Sequence, residues 1–260
     1  NNVKGNWSAP QAVDDDGTAD FAPSVIADGE KIYVAWQNIS KEFSDNAALE
    51  DVAKASTIAM STWAKGSGFG NAITVSDTAW MAAAPEIGVD GAGKPYVAYI
   101  QNTEGDFLLT TGKNNIAYSV IDGSKVEKHS YLTDVGLITS LSTAFDGTYQ
   151  FAYTVDKDAD TSSMNDREVV VNGVATDNEV MDSNPQFITA GNDILCFWYQ
   201  DGKLVMQDAS GKEKVIYEDD SSAITDDFHI LPGENGQMAM IWTAMDDKDK
   251  KQLEGIVYDK

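Results

Sequence analysis

The chain has 260 residues, 42% hydrophobic and 10% aromatic, enough to bury a sizeable core in one large domain or two small ones. Its 42 acidic residues against 18 basic ones give a formal net charge of −24, which repels phosphate and argues against nucleic acid or an anionic membrane as partner. The single cysteine, Cys196, leaves no disulfide framework and no cysteine-based zinc site, and no apolar run reaches the roughly 20 residues of a membrane span. No signal peptide opens the chain, which reads as a mature or excised form.

Strand patterns dominate, and one motif recurs along the chain: a short apolar strand, a tight turn usually containing glycine, and a strand ending in a large aromatic. The five copies cover residues 23–36, 85–99, 141–153, 185–198 and 228–242. They end on Trp36, Tyr99, Tyr153, Trp198 and Trp242, spaced by 63, 54, 45 and 44 residues, the period of a propeller blade. A third strand follows each copy, at 57–61, 115–119, 168–171, 204–206 and 255–258. Fourth strands follow at 69–75, 126–133 and 212–217, and Asn172-Gly173 supplies a type I′ hairpin in the third repeat.

Pro23, Pro85 and Pro185 open the first strand of their repeats, the innermost position, where a missing N–H costs no ladder bond. The expected fold is therefore all-β, a propeller of about five four-stranded antiparallel blades forming one domain over residues 1–260. The blades fall at about 14–76, 77–133, 134–178, 179–218 and 219–260. Residues 5–13 resemble the fourth strand at 68–75, so residues 1–13 are expected to complete the last blade by pairing with 255–258 and so remove an exposed edge. The terminal aromatics are expected to form the core between blades, and Cys196, within an apolar run, to be a buried and unreactive thiol.

The hairpins at 61–69 and 119–126 resemble degenerate Asp-boxes, the Ser-x-Asp-x-Gly-x-x-aromatic turns of sialidase-like propellers and related bacterial extracellular repeats. Only the second keeps the pair, as Asp122-Gly123. The resemblance implies a propeller fold, an extracellular or cell-surface location in a bacterium, and a structural role for the box. It does not carry over an activity. Sialidases grip the substrate carboxylate with three arginines, and this chain has only Arg167.

A glycosidase needs two carboxylates at the mouth of the channel. Reading the innermost strands gives Glu86 and Asp227, with Asp226 beside it, while the other repeats offer Ser24, Ser142 and Gln186. With only His129 and His229, neither a histidine-rich metal site nor a serine–histidine triad has the residues it needs.

Asp156, Asp158 and Asp160 alternate as in calcium loops, but Thr161 and Arg167 stand where an EF-hand has Gly and Glu. Calcium is the one cofactor this chain suggests, set against an ordinary solvated loop. The loop face carries a helix at 47–54, in which Leu49 and Val52 are expected to pack on the blade, and several acidic interblade loops. Trp80 stands at the tip of one of them.

Trp80, Gln37, Asn38, Gln101, Asn102 and Glu86 make up the expected ligand site, for which interblade packing of Trp80 and strand-end capping by the amides are the plain alternatives. The leading expectation is a monomeric, non-catalytic recognition module that binds glycan on this face. The alternatives are a protein-interaction or structural propeller of a larger surface protein, and a glycoside hydrolase with an atypical carboxylate pair.

Overall fold

The computed structural model describes residues 9–110, 113–133, 135–156, 166–191, 193–218, 223–233, 236–245 and 251–258, and these form five antiparallel sheets and one short helix. The first sheet holds β1 (Asp20–Asp28), β2 (Lys31–Ile39), β3 (Ser56–Ala64), β4 (Gly68–Phe69) and β5 (Ile73–Thr74), with α1 (Leu49–Ala55) between β2 and β3. The expected fourth strand at 69–75 is thus split in two, and both halves pair with β3.

The second sheet runs in the order β6 (Met81–Val89), β7 (Pro95–Asn102), β8 (Asn114–Asp122), β9 (Lys125–Leu132). The third is β10 (Leu137–Phe145), β11 (Tyr149–Asp156), β12 (Arg167–Val171), β13 (Val174–Ala175). The fourth is β14 (Asp182–Ala190), β15 (Asp193–Gln200), β16 (Lys203–Gln207), β17 (Glu213–Glu218). The last holds β18 (Ala223–Pro232), β19 (Met238–Met245) and β20 (Lys251–Tyr258). The hairpin joining β12 to β13 has Asn172 at φ 51° and Gly173 at φ 83°, the left-handed pair that a type I′ turn requires.

Each terminal aromatic but Trp36, which packs within the first sheet and on Val13, enters the seam with the preceding sheet. Tyr99 packs with Tyr33, Ala35 and Met60 of the first sheet, and Tyr153 with Ala98 and Ile100 of the second. Trp198 packs with Ala152 and Val169 of the third, and Trp242 with Leu195 and Phe197 of the fourth. These seams set the first strand of each sheet beside the first strand of the next: β1 against β6, β6 against β10, β10 against β14 and β14 against β18. Cys196 is buried in the third of these seams, and burial drives its thiol pKa well up.

Two expectations change here. The prolines do not open the innermost strands, which begin three or four residues earlier. Pro23, Pro85 and Pro185 lie instead within a bulge, whose residue before the proline takes a positive φ: Ala22 at 45°, Ala84 at 49° and Asn184 at 53°. The bulge leaves the proline outside the ladder, so its missing N–H costs nothing. The helix also turns otherwise than expected: Leu49 is exposed, and Ala53 packs against Met81 and Ala83.

Of the segment expected to complete the last sheet, residues 1–8 lie outside the described residues, and residues 9–13 form no strand. Val13 rests on Val34 and Trp36 of the first sheet, and Val75, 62 positions later, lies in the Tyr99 cluster. Among the described residues no fourth strand lies beside β20, and the last sheet leaves Leu231, Ile241, Leu253 and Val257 exposed on its outer face.

Gly88 makes room for the ring of its cross-strand partner Tyr96. A Cβ there would stand 2.4 Å from Cζ and Oη of Tyr96, a ring with no exposed surface. Gly88→Ala is expected to lower stability by roughly 1–3 kcal/mol through overpacking. Urea denaturation checks this, and an unchanged midpoint would contradict it.

Candidate functional site: the mouth of the central strands

In strand register the central position opposite the residue before each terminal aromatic is Ser24, Glu86, Ser142, Gln186 and His229. This corrects the expectation that Asp227 matches Glu86. The irregularity in β18 spans Ile224 to Phe228, one residue longer than that in β14 between Ser183 and Gln186. The extra residue carries Asp227 into the bulge and brings His229 into the ladder.

Most of these side chains staple neighbouring sheets. The Ile87 N–H donates to Ser24 Oγ at 3.1 Å, the Phe187 N–H to Ser142 Oγ at 3.0 Å, and the Ile230 N–H to Gln186 Oε1 at 3.3 Å. Glu86 is the one carboxyl in the row. The Ser24 hydroxyl donates to its Oε2 at 3.2 Å. Burial raises the Glu86 pKa from the ordinary 4.5 to about 7, against the smaller lowering effect of the Ser24 hydrogen bond.

Where the central strands begin, the third, fourth and fifth sheets surround a cleft of ≈ 370 Å³. Thr139 and Ser140 of β10, Ser183 and Asn184 of β14, Asp226 and Asp227 of β18, and Arg167 of β12 line it. Arg167 Nε lies 3.3 Å from Oδ2 of Asp156, a fully buried carboxylate. The Asn184 amide donates to the Asp226 carbonyl at 2.7 Å, and the Thr243 hydroxyl to Asp227 Oδ2 at 3.0 Å. Ser183 is buried, and its hydroxyl has no hydrogen-bond partner.

The residues expected to bind ligand are placed differently from one another. Trp80 is 43% exposed at its loop, while its neighbour Met81 is buried. Gln37 is buried and donates to Ser56 Oγ at 2.9 Å, and Ser56 in turn donates to the Ala82 carbonyl, tying the first sheet to the second. Asn38 Nδ2 lies 3.2 Å from Asp20 Oδ1 and 3.3 Å from Asp16 Oδ2. Asn102 is fully buried: its amide donates to Asn114, and its Oδ1 accepts the N–H groups of Glu104 and Asp106. Gln101 is half-buried. Asn38 and Asn102 thus bond loop residues next to their strand ends.

Of the calcium candidates, Asp156 is the ion-pair partner of Arg167, while Asp158 and Asp160 lie outside the described residues. The cleft itself escaped the sequence reading. Arg167 stands among loop acids in sequence, and only the pairing of β11 with β12 brings it opposite Asp156.

No family model matches the chain, and no curated protein does. Among solved structures, the fold is similar to that of a Trypanosoma rangeli sialidase in complex with sialic acid, with a TM-score of 0.54 at 9% identity, covering 92% of this chain and 44% of that one. A Hadza microbial sialidase gives a TM-score of 0.53 at 10% identity, covering 92% of this chain and 54% of that one. A GH43 endo-arabinanase from Bacillus licheniformis is covered over 94% of both chains, with a TM-score of 0.42 at 11% identity.

The chain thus has a β-propeller fold of the sialidase kind and spans about half the length, or less, of the sialidases it resembles. The leading expectation of a non-catalytic recognition module is corrected by these neighbours, which are sialidases. No helix of the described residues is long and apolar enough to cross a membrane.

Proposed function

We propose that this chain is a glycoside hydrolase acting on uncharged glycans, with Glu86 as the general acid and Asp227 as the second carboxylate at the mouth of the propeller. The observation that carries the reading is the Glu86 carboxyl, the one acid among the stapling positions, its pKa raised to about 7 by burial. An acid that keeps much of its proton near neutrality can protonate a leaving glycosidic oxygen, and a carboxylate on the other side can activate water or attack the sugar. The propeller fold of sialidases supports the class of chemistry, whereas the single arginine argues against their substrate. A net charge of −24 further disfavours anionic glycans. Trp80, exposed on a loop that leads into the start of β6, would serve as a stacking platform for a neighbouring ring.

The test is release of nitrophenol or reducing sugar from a panel of neutral aryl glycosides and polysaccharides. Turnover is expected on a neutral substrate, with a loss of roughly 100-fold or more in Glu86→Gln and in Asp227→Asn, and none on fluorogenic sialosides. Absence of turnover across the neutral panel, or cleavage of sialosides, would overturn the reading.

A further inference from the structure

The cleft beside Arg167 has a composition that selects a ligand. The guanidinium charge is already matched by the buried Asp156, 3.3 Å away, so the net excess at the rim comes from Asp226 and Asp227, both exposed. An anionic group entering here meets two carboxylates and a cation that already has its counter-ion. A polyhydroxylated ring meets both a donor, the guanidinium, and acceptors, the two carboxylates. Asn184 holds the left-handed φ of 53° at the same rim, with its backbone N–H donating to Thr154 Oγ1 at 3.1 Å and its amide to the Asp226 carbonyl, so the wall is fixed from both sides.

We infer that this cleft is a subsite for one uncharged sugar ring, anchored by Arg167 as donor and by Asp226 and Asp227 as acceptors, and closed to uronic acids. The inference rests on the reading of the propeller as a glycan-processing protein, and it names the arginine as a determinant of specificity for hydroxyls in place of a carboxylate.

Saturation-transfer NMR on the full chain tests it, with D-galactose, D-xylose, L-arabinose and D-glucuronate as probes. At least one neutral sugar is expected to bind, with affinity falling by about tenfold or more in Arg167→Lys and in Asp226→Ala. Arg167→Lys keeps the charge beside Asp156 but loses the planar fork, so the fold is retained while the geometry is not. Glucuronate is expected to give no transfer. Binding of glucuronate in preference to every neutral sugar, no transfer from any neutral sugar, or a neutral-sugar affinity unchanged in both variants would overturn the inference. Sugar binding without hydrolysis of any glycoside would leave the subsite standing and remove the hydrolase reading. Hydrolysis with an unchanged KM in both variants would do the reverse.

Discussion

At pH 8 the Glu86→Gln variant is expected to be more stable than the wild type, and at pH 4 the two should unfold alike. Folding raises the Glu86 pKa from 4.5 to about 7, so between those values the folded state holds the proton more tightly than the unfolded chain does. The stability tied to that proton is complete below pH 4.5 and is lost as the pH rises through about 7. At about 1.36 kcal/mol per pH unit, the full loss is on the order of 3 kcal/mol. Glutamine is neutral at every pH, and Gln186 shows that an amide in the equivalent strand position accepts the next sheet's N–H and donates to the Phe228 carbonyl at 2.7 Å. Urea denaturation of both proteins from pH 4 to 8 checks the prediction. Parallel curves would mean that Glu86 is solvated and has no raised pKa. A side chain that weakens the fold at neutral pH while a neutral isostere strengthens it bears the mark of selection for chemistry over stability.

Trp198→Ala is expected to cost roughly 3–5 kcal/mol, and Trp80→Ala less than about 1 kcal/mol. Trp198 has no exposed surface and fills the seam between the third and fourth sheets, whereas Trp80 is 43% exposed. The indole N–H of Trp198 is buried without an acceptor, so Trp198→Phe, which removes that unmet donor along with part of the ring, is expected to fall well short of the alanine loss. Thermal or urea unfolding of the three variants measures this order. Equal losses for Trp198→Ala and Trp80→Ala would remove the distinction between seam and loop face on which the site rests.

The repeat was legible because its signals are local. The aromatic at the end of the second strand, the Asp-Gly turns and the I′ pair Asn172-Gly173 each follow from the residues that make them. The register of β18 was not legible. Its bulge is one residue longer than that of β14 and carries no proline to mark it, so Asp227 reads as the partner of Glu86 when the ladder places His229 there. The Arg167 cleft was hidden for a different reason. Its walls come from three sheets, and residues between 139 and 227 meet only once the seams have formed. The amides of Gln37, Asn38 and Asn102 looked like sugar ligands because polar groups just past a strand end suit either task. Gln37 instead ties the first sheet to the second through Ser56, and Asn38 and Asn102 bond loop residues beside their strand ends.

The central claim is that Glu86 delivers a proton at the propeller mouth, and the pH dependence of kcat/KM on a neutral glycoside tests it most directly. A basic limb governed by an apparent pKa near the Glu86 value of about 7 is expected. In Glu86→Gln that limb should vanish together with most of the rate, and substrates with poor leaving groups should suffer most, since they need the proton most. A wild-type profile flat through neutrality, or a variant that keeps both the rate and the limb, would contradict it.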